Sequence, residues 1–129
     1  METSVNNKCK AFTSLKQSKK LAEFLPLESA DMYYFGIDDY PNSSKQYHEI
    51  LIGKIDKDDI DEFGHIPCWS LASLLDNVLP KIINNETLFI ATSAALWHIS
   101  YKNIYTAIDD NLIDACVELI EKLHELKML

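Results

Sequence analysis

Apolar residues recur at helical spacing along the last part of the chain, residues 110–129. Asn111 stands just before this stripe, where its side chain can accept backbone N–H groups, and Asp114 stands where a capping-box acid would. The pattern predicts a capped amphipathic helix whose apolar face needs a sheet or another helix to cover it. Its apolar positions are Leu112, Ile113, Cys116, Val117, Leu119, Ile120, Leu123 and Leu126.

Two shorter helices are predicted upstream. The first covers 13–24, has a short apolar stripe and ends before Pro26, because proline cannot continue a helix. The second covers 71–79, follows the potential N-cap Ser70 and ends before Pro80.

Strand-like segments fill much of the remaining chain. In the clearest of them, Trp97, Ile99 and Tyr101 alternate with His98 and Ser100, which places the two sets on opposite faces. The predicted strands are 32–37, 49–53, 87–91, 96–101 and 104–108.

Short connections between these strands set the fold class. The tight pair Lys102-Asn103 joins the last two strands, as in antiparallel hairpins, and the acidic run 56–62 is predicted as a loop. The resulting order is α-β-β-α-β-β-β-α. We therefore predict an α+β fold, with a mainly antiparallel sheet of about 3–5 strands and helices packed on one face. The folded domain is expected to cover 13–129, after a flexible N-terminal segment 1–12.

Charge restricts the classes of partner. The 129 residues carry a formal charge of −8, and all 12 basic residues are lysine. Without arginine the chain lacks the bidentate fork that recognises phosphate and guanine. Direct nucleic-acid binding is therefore disfavoured.

Composition also restricts the compartment. No apolar run is long enough to cross a bilayer, and the polar N-terminus lacks the apolar core of a secretory signal. The three cysteines form no C-x-x-C pair, which favours a reducing environment. We expect a cytoplasmic protein without a membrane partner.

Several stretches resemble a group of small uncharacterised proteins from gut anaerobic bacteria and their phages or mobile elements. The matching stretches are 17–21 (QSKKL), 29–34 (SADMYY), 66–71 (IPCWSL), 110–116 (DNLIDAC) and 122–126 (KLHEL). This resemblance covers nearly the whole chain. It implies a prokaryotic or phage setting, and it carries no assigned function.

A second resemblance is architectural. The segment 107–110, followed by the helix start at 111–115, is similar to the end of antitoxin domains of the HicB type. It covers about 30 residues and rests on a hairpin and cap that many folds share.

Cys68 is the candidate nucleophile of the chain. It lies near a predicted helix start, whose dipole can lower a thiol pKa, and His65 is close enough in sequence to serve as a base. The alternative is that Cys68 is a small packing residue beside Trp69, since thiols are commonly buried. No third orienting residue can be named.

Motifs for metals and cofactors are missing from the sequence. In the acidic run, Asp56 and Asp58 fit the first and third positions of a calcium loop, but Ile60 and Asp61 break the pattern. The histidines have no partner at a metal-ligand spacing, and three glycines cannot build a phosphate-binding loop. We assign no catalytic, cofactor-binding or metal-ligating residue and expect no cofactor.

Aromatic residues indicate a possible interaction surface. Tyr33 and Tyr34 are consecutive, so a strand cannot place both on one face, and one side of 32–37 is expected to expose aromatic surface. We add Tyr40, Tyr47 and His98 to this predicted surface.

Three functions follow as hypotheses. The first is a small non-enzymatic protein-binding or accessory protein of a bacterial, phage or mobile-element genome, whose partner is another protein or a second copy. The alternative is an acidic, antitoxin-like inhibitor that masks a nucleic-acid-binding surface. The third is a cysteine hydrolase that uses Cys68 and His65. The sequence leaves open whether a small molecule also binds.

Overall fold

The computed structural model describes residues 10–39 and 44–129, and at 37–39 and 44–48 only the backbone. The helices are α1 (Leu15–Leu21), α2 (Lys57–Phe63), α3 (Leu71–Ser73, continued by a π-helical segment at Leu74–Val78) and α4 (Leu112–Glu125). The strands are β1 (Met32–Asp39), β2 (Ser44–Ile52), β3 (Ile66–Cys68), β4 (Ile82–Ile83), β5 (Glu86–Ser93), β6 (Leu96–Tyr101) and β7 (Tyr105–Asp109). A short 3-10 turn spans Leu27–Ser29.

The strands form two antiparallel sheets. The first has the order β2-β1-β3, with Tyr33 of β1 opposite Leu51 on one side and Pro67 on the other. A register shift between Phe35 and Gly36 interrupts the β1–β2 pairing. The second sheet has the order β4-β5-β6-β7, so its strands follow one another along the chain.

Tight turns set the register of the second sheet. Asn84 and Asn85 both have positive φ, 51° and 68°, and connect β4 to β5. Ala94 and Ala95 adopt the same left-handed region, with φ of 54° and 65°, between β5 and β6. Two-residue hairpin turns need this conformation because it matches the twist of the paired strands.

Helix α4 covers one face of the second sheet. It packs against β6 and β7, and the side chains of Ile99, Ala107 and Leu119 are completely buried between these elements. The cap predicted at Asn111 is confirmed, since its side chain accepts a hydrogen bond from the N–H of Asp114. The predicted docking of an amphipathic C-terminal helix on an antiparallel sheet is therefore confirmed.

Asp114 does not complete a capping box. One of its carboxylate oxygens accepts hydrogen bonds from Lys10 Nζ at 2.6 Å and Gln17 Nε2 at 2.7 Å. The N–H of Asn111 instead donates to Asp109 Oδ1. This carboxylate connects α4 to the start of α1, a long-range contact that helix spacing does not reveal.

Thr13 connects α1 to the rest of the fold. Its N–H donates to the carbonyl of Trp69 at 2.9 Å, and its hydroxyl accepts the N–H of Trp69 at 3.2 Å. The same hydroxyl lies 2.7 Å from Ser18 Oγ, and its carbonyl accepts the hydroxyl of Tyr34. The segment before α1 is therefore hydrogen-bonded to Trp69, the residue that follows β3.

The α+β class and the antiparallel pairing are confirmed, and several details differ. The run 56–62 is mostly helix, because Asp56 and Asp59 form a capping box and Gly64 ends α2 with a φ of 72°. Strands β3 and β4 were not predicted, and the strands divide into two sheets instead of one. The last hairpin has a loop of 102–104 in place of a two-residue turn.

The predicted boundary after residue 12 also differs from the structure. Phe12 forms a β-bridge with Ser70, and the N–H of Leu71 donates to the carbonyl of Ala11. Residues 10–12 thus belong to the folded domain, and residues 1–9 lie outside the described part of the chain.

Candidate functional site

The face of the second sheet that points away from α4, here called the outer face, exposes large apolar side chains. Phe89 and Ile82 are each 62% exposed, and Ile108 is 46% exposed. The pairing of Ile82 with Thr87 places both on the face that also carries Phe89, because residues alternate along β5. Residues on the opposite face, such as Ile99, are fully buried against α4.

One end of the outer face, here called the apolar end, carries apolar residues on either side of a histidine. The register places Ala91 opposite His98, and His98 opposite Ile108, so these residues form one row across β5, β6 and β7. His98 therefore lies on the face opposite Trp97, as the alternation predicts, and it is half-buried. The next row contains Phe89.

The other end of the outer face holds a pocket of about 580 Å³. Its strand residues are Thr87, Phe89, Ser100 and Thr106. Its residues from the strand ends and hairpin loops are Asn85, Glu86, Lys102 and Asn103. Five of the eight lining residues thus carry a hydroxyl or amide group, and Phe89 adds an exposed aromatic ring.

Cross-strand contacts organise this pocket. Phe89 pairs with Ser100, and Ser100 pairs with Thr106, so one aromatic and two hydroxyl side chains form a row. At the loop end, Asn103 Nδ2 donates to Glu86 Oε2 at 3.1 Å. This bond joins the β4–β5 and β6–β7 ends of the sheet. The arrangement can offer hydrogen-bond donors and acceptors around an exposed ring.

The predicted aromatic surface on β1 is not assembled as expected. Tyr34 is buried, only 8% exposed, and its hydroxyl donates to the Thr13 carbonyl at 2.8 Å. Burial raises the pKa of Tyr34 to about 12. The prediction was wrong for Tyr34 because β1 is the central strand of its sheet and this face packs inward. Tyr33, on the opposite face, is half-buried.

Two further tyrosines of that prediction cannot be placed on the surface. Tyr40 lies outside the described residues, and Tyr47 is described only through its backbone, which pairs with Gly36. Of the predicted surface, His98 alone lies on the outer face among the side chains that the structure describes.

The aromatic residues of β1 surround a histidine instead. The ring of His65 lies 4.8 Å from that of Phe35, 5.3 Å from Tyr33 and 5.5 Å from Phe63. Its Nδ1 accepts a hydrogen bond from the N–H of Gly36 at 3.0 Å. His65 is therefore a packing residue at the edge of the first sheet, held by three rings and one hydrogen bond.

Cys68 and His65 have different surroundings. Cys68 is completely buried, and its Sγ lies 3.4 Å from the carbonyl oxygen of Thr13 and 3.6 Å from the Thr13 hydroxyl. Burial, the largest cause, raises the pKa of this thiol, although hydrogen bonds from Thr13 and Ser18 oppose it. Because a reactive cysteine needs an accessible thiolate, the packing interpretation of Cys68 fits this geometry better.

Within 10–39 and 44–129, no group of three or more His, Cys, Asp or Glu residues is placed to hold a metal ion. No helix in the same ranges has the length and apolar character that a membrane crossing requires.

Phe89, Ile82 and the pocket are not among the site residues that the sequence predicts. Residues 87–91 form a continuous apolar run, which predicts a strand but does not distinguish its two faces. The signal was available in the hairpin: Leu88 and Ile90 share the face of the buried Ile99, which leaves Phe89 outside. A continuous run can therefore belong to a strand with only one buried face.

Comparison with protein-family models, with curated proteins and with solved structures finds no match for this chain. The two resemblances inferred from its sequence stay predictions. What is shown is an α+β fold of two antiparallel sheets, with a partly apolar outer face and a pocket of mixed lining at one end of it.

Proposed function

We propose that this chain is a non-enzymatic protein-binding protein that docks a partner through the apolar end of the outer face. The observation that carries the proposal is the exposure of Phe89 and Ile108 on one sheet face. Apolar side chains gathered on one exposed face are characteristic of interaction sites, and aromatic residues are enriched at the centres of interfaces.

The charge of the chain favours a different protein as the partner. Two copies at −8 each repel one another, which opposes self-association and supports solubility. A partner with an apolar patch and a basic rim would complement both the outer face and the acidic character of the chain. The accessory role in a bacterial, phage or mobile-element genome stays part of this proposal.

The other two functions have less support. The acidic, antitoxin-like inhibitor stays a prediction, since the described acids include exposed groups on both α2 and α4 and mark no single face. The cysteine hydrolase is not supported by the buried thiol of Cys68 and its contacts with Thr13.

Site-specific photo-cross-linking in host cells tests the docking face. A photoreactive residue at position 89 should capture a discrete partner, whereas the same residue at position 52 should not. Ile52 is a matched control because it is 86% exposed and lies on the other sheet. The identified partner is then purified for binding measurements with the wild-type chain.

Binding of the purified partner decides the proposal. The double variant Phe89→Ser/Ile108→Ser should weaken binding at least about tenfold, and Ile52→Ser should leave it unchanged. Equal binding by the double variant and wild type would refute the docking face. A dimer in sedimentation equilibrium that the double variant dissociates would assign the face to a second copy and refute a different partner.

A further inference from the structure

We propose that the pocket at the loop end of the outer face binds a neutral saccharide. The pocket has a volume of about 580 Å³, which lies in the range of small-molecule sites. It shares Phe89 with the proposed docking face, but its lining excludes the row of Ala91, His98 and Ile108.

Phe89 supplies the apolar side of the site. Its ring belongs to the pocket lining and remains 62% exposed. The face of an aromatic ring carries partial negative charge, and the C–H bonds on one face of a pyranose carry partial positive charge. A sugar can therefore stack on this ring while its hydroxyl groups point sideways to the hydroxyl and amide groups of the lining.

The strand residues around Phe89 match the hydroxyl groups of such a ligand. Ser100 lies directly opposite Phe89, and Thr106 lies directly opposite Ser100. A serine or threonine hydroxyl both donates and accepts, as a sugar hydroxyl does, so each pair can bond in either direction. Thr87, also in the lining, adds a third hydroxyl of the same kind.

The charges in the lining favour a neutral ligand over an anionic one. Glu86 and Lys102 are the acidic and basic members of the lining, and their charges balance. An anion site would need an excess of positive charge or the planar fork of arginine, which this chain lacks.

The pocket is organised before any ligand binds. Asn103 Nδ2 is held 3.1 Å from Glu86 Oε2, and Asn85 and Asn103 occupy left-handed positions of tight turns, with φ of 68° and 67°. The three hydroxyl residues of the lining, Thr87, Ser100 and Thr106, stand on hydrogen-bonded strands. A ligand that binds here loses little affinity to the ordering of the protein.

Titration of the ¹⁵N-labelled chain, followed by NMR, tests the proposal. The probes are maltose, cellobiose, lactose and N,N′-diacetylchitobiose, with glycerol and glucose 6-phosphate as comparisons. At least one disaccharide should produce saturable shifts centred on the amides of Phe89, Ser100 and Asn103. The proposal would be overturned if none of the four disaccharides produced saturable shifts. It would also be overturned if glycerol produced shifts as large as those of the disaccharides, or if glucose 6-phosphate bound more tightly than every disaccharide.

Variants test the assigned groups. Phe89→Ala should weaken binding of the tightest-binding disaccharide at least about tenfold. Phe89→Tyr should retain this binding because the ring is kept. Thr106→Val removes one hydroxyl with little change in shape and should weaken binding several-fold. Unchanged affinity in both Phe89→Ala and Thr106→Val would refute the site. Since these side chains are exposed, the variants are expected to fold, which their NMR spectra check directly.

The saccharide site and the protein-docking face can fail separately. Ile108 lies outside the pocket lining, so Ile108→Ser should leave the affinity for the sugar within about twofold of wild type. The same variant should weaken binding of the protein partner. Thr106→Val should weaken binding of the sugar and leave binding of the protein partner unchanged. Loss of sugar binding in Ile108→Ser, with binding retained in Thr106→Val, would overturn the saccharide assignment alone.

Discussion

The backbone N–H of Gly36 donates a hydrogen bond to Nδ1 of His65 over 3.0 Å. A Cβ atom at Gly36 would lie 2.8 Å from the carbonyl oxygen of Gly64 and 2.9 Å from that of Phe63. The end of α2 and the middle of β1 therefore approach so closely that only glycine fits. This contact places His65 among the rings of β1.

His65→Ala should destabilise the fold. It removes a ring packed against three aromatic side chains and leaves the N–H of Gly36 without its acceptor. We expect a loss of about 2–4 kcal/mol in the free energy of unfolding, measured by urea denaturation. His65→Phe keeps the ring and loses only the acceptor, so it should cost less. Equal stability of His65→Ala and wild type would contradict the packing role.

Thr13→Val tests the connection between α1 and β3. The change conserves shape but removes the hydroxyl that accepts the Trp69 N–H and contacts Ser18 Oγ, all in a buried environment. Leaving these groups unpaired should cost about 1–3 kcal/mol in the free energy of unfolding. Thr13→Ser retains the hydroxyl and is the control. A Thr13→Val protein more stable than Thr13→Ser would show that this hydrogen bonding is dispensable.

The turn between β5 and β6 can be improved. Ala94 and Ala95 hold left-handed backbone angles that asparagine and glycine adopt with less strain. Ala94→Asn/Ala95→Gly should raise the free energy of unfolding by about 1 kcal/mol, measured from the thermal midpoint and enthalpy. The reverse change at the preceding hairpin, Asn84→Ala/Asn85→Ala, should lower it. A gain from both double variants would mean that turn conformation does not decide the effect.

Alkaline pH should destabilise the protein through Cys116. Burial raises the pKa of this thiol from 9.0 to about 12, so the folded state keeps a proton that the unfolded chain releases. The stabilisation is complete below pH 9 and declines between pH 9 and 12, by about 1.4 kcal/mol per pH unit for one proton.

Cys116→Ala isolates that contribution. The slope of the unfolding free energy against pH should become shallower by about 1 kcal/mol per pH unit between the two pKa values, in urea titrations at several pH values. Tyr34 and Tyr101, whose pKa values burial also raises to about 12 from 10.0, contribute in the same direction at higher pH. Parallel slopes for wild type and variant above pH 9 would argue against a protonated buried thiol.

The packing of α4 supports a matched pair of substitutions. Leu123 is completely buried, and Leu126, at the end of the same helix, is 43% exposed. Leu123→Ala should cost about 2–5 kcal/mol in the free energy of unfolding, whereas Leu126→Ala should stay within about 1 kcal/mol of wild type. Similar denaturant midpoints for the two variants would show that the helix face is assigned wrongly.

The sequence pattern determined the elements in which buried and exposed positions recur at regular spacing. Helix α4 presents one apolar stripe to one sheet, so its spacing identifies both the helix and most of its buried positions. Strand β6 alternates for the same reason, and His98 lies on the predicted face. Helix α2 could have been found, because the Asp56–Asp59 capping box and Gly64 are local signals, although its acidic composition suggested a loop.

Tertiary structure alone decided the rest. Burial of Tyr34 depends on β1 having a strand on either side, and Asp114 is bound by Lys10 and Gln17 from a distant part of the chain. The pocket exists because cross-strand pairing brings Phe89, Ser100 and Thr106 together. Such neighbours are set by turn geometry and strand register, which a pattern of apolar and polar residues along one strand does not encode.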